Sequence, residues 1–481
     1  MTKPHLPPIS RRSLLLGLGA SIALPGVRLA FAEAPGPARL VVVLLRGGLD
    51  GLYAVQSYAE PGFADLRGPL MLPEPGQEDG LLDLGGRFGL HPRLAGLHAM
   101  FRENEALILQ AVAGPWRSRS HFDAQDFLES GAEQRLSSGW LNRALSAMPT
   151  PPVGRAAGLA VGTNTPLLLR GGARVDNFVP RGTAEVPPDL LARILDLAAR
   201  DTVLGPSLRD GIAARGYVLE TLGDAARQRP SPEGQFAILA RAAGQLMAVP
   251  SGPSVAAFEL GGWDTHAQQA ARLNAPLSQL DGGLVALKHA LGDVWRRTAV
   301  LVVTEFGRTV RVNGTMGTDH GTGGAAFILG GAVQGGRILG DWPGLAAANL
   351  FQDRDLFPTT DMRSLAKGLL RDHLRLPRPA VEAAFPNSAE AAPLGGITRA
   401  WSGPQSSLIP SAATNSRISA RSAARKRAKA SGPSAAGVRP SASSRGAKAG
   451  CSSASLAAAA KRAMTGAGVA AGAKSPSQSP I

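Results

Sequence analysis

The segment ARLVVVLLRGGLDGLY, residues 38–53, decides the fold. Leu40 to Leu45 are apolar without a break, whereas a strand with one wet face alternates apolar and polar residues. Such a run reads as a strand buried on both faces, the habit of parallel sheets covered by helices. The glycines after it turn the chain and deliver Asp50 at the strand's carboxyl end.

The same pattern recurs outward from this strand. HPRLAGLHAMFREN has helical spacing and is followed by a second apolar strand, Ala106 to Val112, then by FDAQDFLESGAE as a helix. Residues 186–247 read as several helices, including LLARILDLAAR and FAILARAAGQLMAV. Ser254 to Leu260 form a strand with GGWDTH as its loop. A long amphipathic helix runs from about Ala267 to Trp295, and Thr298 to Thr304 and AAFILGG are further strands. Strands alternating with helices imply parallel βαβ units, and no internal repeat is present. The expected fold is α/β, a doubly wound, mostly parallel sheet with helices on both faces.

In an open parallel sheet, ligands bind beyond the carboxyl ends of the strands. Asp50, Ser118-Arg119-Ser120-His121, Asp264-Thr265-His266 and Glu305 all follow strands at that end, and Asp319-His320 lies in a glycine-flanked loop. Carboxylates and imidazoles gathered in one crevice suit a divalent metal, with zinc or manganese favoured by the histidines. Asp264 and His266 flank Thr265 in an extended segment and so point to one side, as two ligands of one ion would; an N-cap for the next helix is the plainer reading. Asp50 is either a ligand or a turn residue. Glu305 ends an apolar strand and needs a partner there. Arg308 supplies that partner as a salt bridge, or else offers a guanidinium fork to an anion. Ser120 reads first as a helix cap, with Asp123 completing a capping box, a role compatible with that of a nucleophile supported by the helix dipole. His91, His98 and His289 fall on helical patterns and read as structural, and Trp140 as core.

Net charge excludes less than it first suggests. The chain carries +15, but of its 51 basic side chains 12 lie in residues 401–481 and four in the first 32, neither of which holds an acidic residue. The remaining 35 face 36 acidic groups, so the body is neutral and gives no basis for nucleic-acid binding. Residues 401–481, rich in Ser, Ala, Arg and Lys, lack the apolar surface to offset ordering and read as a disordered basic tail that could contact an anionic surface polymer. Residues 1–32 read as an export signal: Ser10-Arg11-Arg12 precedes a short apolar run, Leu14 to Leu24, and small residues follow at Ala30 and Ala32. That run is too short for a mature membrane span of about 20 residues. The one cysteine, Cys451, lies in the tail, so any metal in the body must be held by oxygen and imidazole. Residues 33–400 are then a single α/β domain, exported to the periplasm or beyond.

Together, RGGLDGLY, LHPRLAGL, RSHFDAQDFLESG, GWLNRAL, GGWDTH and TEFGRTVRVNGTMGTDHGTGGAAFILGG, with the twin-arginine start, resemble the bacterial DUF1501 family. That family is similar in turn to the alkaline phosphatase and sulfatase superfamily. The resemblance implies an alkaline-phosphatase-like fold with one or two divalent ions. It further implies metal ligands among Asp50, Asp264, His266, Glu305, Asp319 and His320, with Ser120 as nucleophile. Phe306 stands where the superfamily has its second-site histidine, so one metal at Asp264, His266 and His320 is the narrower expectation. The implied activity is hydrolysis of phosphate or sulfate esters, of a small molecule or a polymer. The contrasting expectation is a non-catalytic envelope protein that keeps a vestigial metal site and binds a partner or surface polymer.

Overall fold

The structure, a computed structural model, describes residues 37–149, 155–179, 188–198, 201–202, 204–223 and 234–399. The expected signal at 1–32 and the basic tail at 401–481 lie outside them. Among the described residues, no helix is long and apolar enough to cross a membrane.

The main sheet comprises β1 (Arg39–Leu45), β2 (Ala106–Ala113), β3 (Gly158–Val161), β4 (Val175–Phe178), β5 (Val255–Leu260), β6 (Thr298–Thr304), β7 (Gly324–Leu329), β8 (Arg337–Leu339) and the short β9 (Thr360–Asp361). Their order is β8-β2-β7-β6-β1-β5-β3-β4, with β9 beside β2. All neighbours run parallel except β7, which is antiparallel to both β2 and β6. The expected mostly parallel α/β class is therefore the observed one. The antiparallel β7 arises because a loop, rather than a crossover helix, connects it to β6.

β1 is central, and its unbroken apolar run follows from having two covered faces. Val41, Val43 and Leu45 pack in one core, which holds Leu246 of α1 (Gln235–Ala248) and Leu273 and Leu280 of α2 (Gln269–Leu291). Leu40, Val42 and Leu44 pack in the other, with Trp140 and Leu141, and with Leu365 and Leu369 from the C-terminal region. Every residue of the strand is buried. Truncating Leu44 to alanine is expected to cost about 2–5 kcal/mol through lost burial and the cavity left behind. Trp140 is buried against Phe385 in the second core, as the sequence suggests.

Candidate metal centre

The neighbouring strands β5, β1 and β6 end side by side, so the loops at 46–50, 261–268 and 305–323 leave the sheet together. A fourth segment, residues 114–120, leads from β2 into the ten-residue helix His121–Ser130. The close approach of the first two loops depends on Gly47. Its φ is +123°, and a Cβ there would stand 2.5 Å from the backbone nitrogen of Asp264.

Asp264 is the hub of the cluster these loops form. Its Oδ1 lies 3.0 Å from His266 Nε2 and 3.2 Å from His320 Nε2, and those two nitrogens are 3.1 Å apart. Each ring has its other nitrogen committed to an oxygen. His266 Nδ1 is 2.9 Å from Asp319 Oδ1, and His320 Nδ1 is 2.8 Å from the Arg119 carbonyl. In the neutral tautomers set by those partners, both Nε2 atoms carry lone pairs, and two lone pairs facing each other repel. A proton or a cation between them removes the conflict. Zinc at its usual 2.0–2.1 Å from nitrogen holds tetrahedral donors about 3.3 Å apart, close to the triangle found here.

His121 adds a fourth group. Its Nδ1 is 2.8 Å from Glu305 Oε1, and its Nε2 lies 3.5 Å from Asp264 Oδ2, buried and without a hydrogen-bond partner. One donor atom from each of His121, Asp264 and His320 lies within 4.8 Å of the others. The His121 and His320 rings meet edge to face at 4.3 Å, and both rest on Phe306, at 4.8 and 5.0 Å.

The electrostatics favour a bound cation. Burial of Asp264 opposes its ionisation, but the buried Arg308 guanidinium, through its hydrogen bond and its charge, outweighs it and holds the carboxyl at about 2. Glu305 is more deeply buried. Bonds from His121, Gln125 and Gly47 nevertheless keep it ionised at about 2. The Glu305 bond raises His121, whereas burial and the neighbouring His121 lower His320. The Asp264 carboxylate and three imidazoles thus meet where solvent can reach them, with the Glu305 carboxylate buried behind His121.

A family model described as "Protein of unknown function (DUF1501)" matches residues 105–385, more than half of the chain. The chain belongs to DUF1501. The stretch that defines membership of DUF1501 contains the whole cluster, from His121 to His320. No curated protein sequence matches the chain. Several solved structures resemble it. One is Ps i-CgsB in complex with k-i-k-neocarrahexaose, at a TM-score of 0.29 and 11% identity over 61% of this chain and 66% of that one. Another is a 2-O GAG sulfatase, BT1596, at 0.27 and 12% over 63% and 66%. A third is the zinc complex of the C-terminal periplasmic domain of EcEptC from Escherichia coli, at 0.25 and 10% over 62% and 74%. The DUF1501 chain spans just under two thirds of the length of the first two.

The structure brings together Asp264, His266 and His320 of the residues expected to bind metal. Asp319 and Glu305 support histidines of the cluster from behind. Asp319 accepts from His266 and from Asn313 Nδ2 at 3.2 Å, which fixes the imidazole. Glu305 is not turned toward the cluster. Its Oε1 accepts from Gly47, His121 and Gln125 and its Oε2 from Thr304, so it orients His121 instead of binding beside it.

Asp50 is a correction. Its oxygens accept from the Tyr53 amide, from Arg67 in a fully buried ion pair and from Gln269 Nε2 at 2.6 Å, so it is a structural carboxylate of the turn. Arg308 is a second correction. Its side chain is wholly buried and committed to Asp264 Oδ1 at 2.8 Å, to Thr318 and to the Gly47 carbonyl, leaving no fork for a substrate anion. Ser120 occupies the N-cap backbone position, but its hydroxyl makes no capping bond, and Asp123 pairs with Arg135 rather than closing a box.

The residue that sequence reasoning passed over in this DUF1501 chain is His121. It stands in the polar group after β2, but as the first residue of a helix behind a serine it looks like part of the helix start. His91 is structural as expected: buried, it accepts from the Arg93 amide at 3.1 Å.

Proposed function

We propose that this chain is an exported metal-dependent hydrolase of phosphate or sulfate esters, holding a zinc or manganese ion at Asp264, His266 and His320. One observation carries the reading: three donor atoms 3.0–3.2 Å apart, with both imidazoles turned by outer partners so that their lone pairs converge. The resemblance of the family to the alkaline phosphatase and sulfatase superfamily suggests the reaction class. When bound, such an ion lowers the pKa of a hydroxyl or water and stabilises charge on the reacting oxygens.

The remaining work falls to the chain. Arg308 pins Asp264, Asp319 and Asn313 pin His266, and the Arg119 carbonyl pins His320. Ser120, uncapped at the start of its helix, keeps its hydroxyl available where the helix dipole favours negative charge. In this reading residues 1–32 direct the folded protein out by the twin-arginine route, 33–400 form the catalytic domain, and the 401–481 tail contacts an anionic surface polymer. The substrate is a small molecule or a polymer bearing the ester.

The test is a panel of aryl phosphate, phosphodiester and aryl sulfate esters assayed with metal-loaded protein. Hydrolysis that Asp264→Ala and His320→Ala abolish together with metal binding, and that Ser120→Ala abolishes while metal is retained, supports the reading. One observation favours the non-catalytic alternative: the committed guanidinium of Arg308 cannot receive an anion. Metal-loaded protein inert to the whole panel, with a partner co-purifying, selects that alternative.

A further inference from the structure

We propose that His121, positioned by Glu305, is a fourth protein donor of the centre, making it a three-imidazole, one-carboxylate site selective for zinc over manganese or magnesium. This rests on the metal reading proposed above. Three independent features of the structure lead to it.

The first is the state of His121 itself. Its Nε2 is buried and makes no well-formed hydrogen bond, with only the longer approach to the Asp264 carboxylate on that side. That nitrogen faces the cluster, 3.5 Å from Asp264 Oδ2, on the other oxygen of the carboxylate that His266 and His320 share. The second is Glu305. A ligating histidine typically gives its other N–H to a carboxylate, and Glu305 Oε1 stands 2.8 Å from His121 Nδ1. Glu305 is held by Gly47, Gln125 and Thr304, so the ring it aims is fixed in turn. The third is Phe306, whose buried ring underlies both His121 and His320 and keeps them close.

Selectivity follows from the donor set. Imidazole suits zinc, copper and nickel, whereas magnesium and manganese prefer all-oxygen octahedra. A chain with three imidazoles around one carboxylate oxygen pair therefore discriminates against the harder ions.

The experiment uses the full-length chain stripped of metal and titrated with cobalt(II) and zinc(II), with manganese(II) and magnesium(II) as competitors. The expected result is one cobalt per chain with the intense visible absorption of a four-coordinate ion, unaffected by millimolar magnesium. In His121→Ala, cobalt affinity falls at least tenfold and that absorption weakens. In Glu305→Gln, affinity falls roughly 10–100-fold while the absorption keeps its shape, as expected of a positioning residue. Circular dichroism confirms that each variant folds, and Glu305→Gln carries the test if His121→Ala does not. Wild-type binding of one ion with affinity and spectrum unchanged in the folded variants overturns the role of His121 and leaves the metal reading intact. Failure of the wild type to bind any of these ions overturns both.

Discussion

The Nε2 atoms of His266 and His320 stand 3.1 Å apart, and the opposite nitrogen of each ring is engaged by an oxygen. Neither imidazole can turn away without abandoning that partner. The pair is thus held in an arrangement that is unfavourable for two neutral rings and is relieved by a shared proton or a metal ion, so a metal would bind here by displacing a proton at most.

Binding a metal to the folded state alone raises stability by mass action. With zinc at about 100 times its dissociation constant, the gain is about 2.7 kcal/mol, or roughly 3–4 °C in Tm. Differential scanning calorimetry with and without zinc should show that rise in the wild type. Asp264→Ala, which removes the oxygen both imidazoles share, should show none.

Asp50 and Asp264 should separate cleanly. Asp50→Ala strands the fully buried Arg67 and is expected to cost about 3–5 kcal/mol in a denaturant titration. The variant that remains folded should bind metal in wild-type stoichiometry. Loss of metal from folded Asp50→Ala would restore Asp50 to the ligand set.

Gly47→Ala introduces a Cβ at positive φ against the backbone of Asp264. The expected outcome is a loss of more than about 1 kcal/mol in stability, with weaker zinc binding because the Asp264 loop must move. Isothermal titration of the variant beside wild type reads the second effect directly.

His91 gives a pH signature unrelated to the metal. Burial first, and Arg93 second, lower it from 6.5 to about 4. The unfolded chain therefore takes up this proton near pH 6.5 and the folded chain only near pH 4. The stability associated with a neutral His91 is complete above pH 6.5, falls as the pH drops from 6.5 to 4 and levels off below that. The full loss is about 3 kcal/mol. Urea unfolding at pH 6.5 and pH 4.5 should show a smaller difference for His91→Asn than for the wild type.

The sheet was legible where burial on both faces left an unbroken apolar run. β1 and β6 announce themselves this way, β2 and β5 do so with one polar residue each, Gln110 and Glu259, and Thr298–Thr304 is found at its expected bounds. The direction of β7 was not legible, because orientation is set by the connection and not by the residues of the strand. β3 and β4 went unread for their length, four residues each.

At the centre, Asp264 and His266 could be found from their place after a strand and His320 from its glycine-flanked loop. Asp50 and Glu305 have the same local signature, and only three-dimensional partners distinguish them. Asp50 is claimed by Arg67, seventeen residues on, and Glu305 by His121, 184 residues away. His121 was hidden for the converse reason: a helix start accounts for its surroundings locally, while its unpartnered nitrogen exists only in the fold.

The central claim is a single ion in the triangle of Asp264, His266 and His320, and an anomalous difference map at the zinc edge from crystals of zinc-loaded protein tests it most directly. One peak per chain is expected, within bonding distance of Asp264 and the Nε2 atoms of His266 and His320, with His121 beside it. A fully loaded crystal with no peak there, or with its zinc bound elsewhere, would contradict the account.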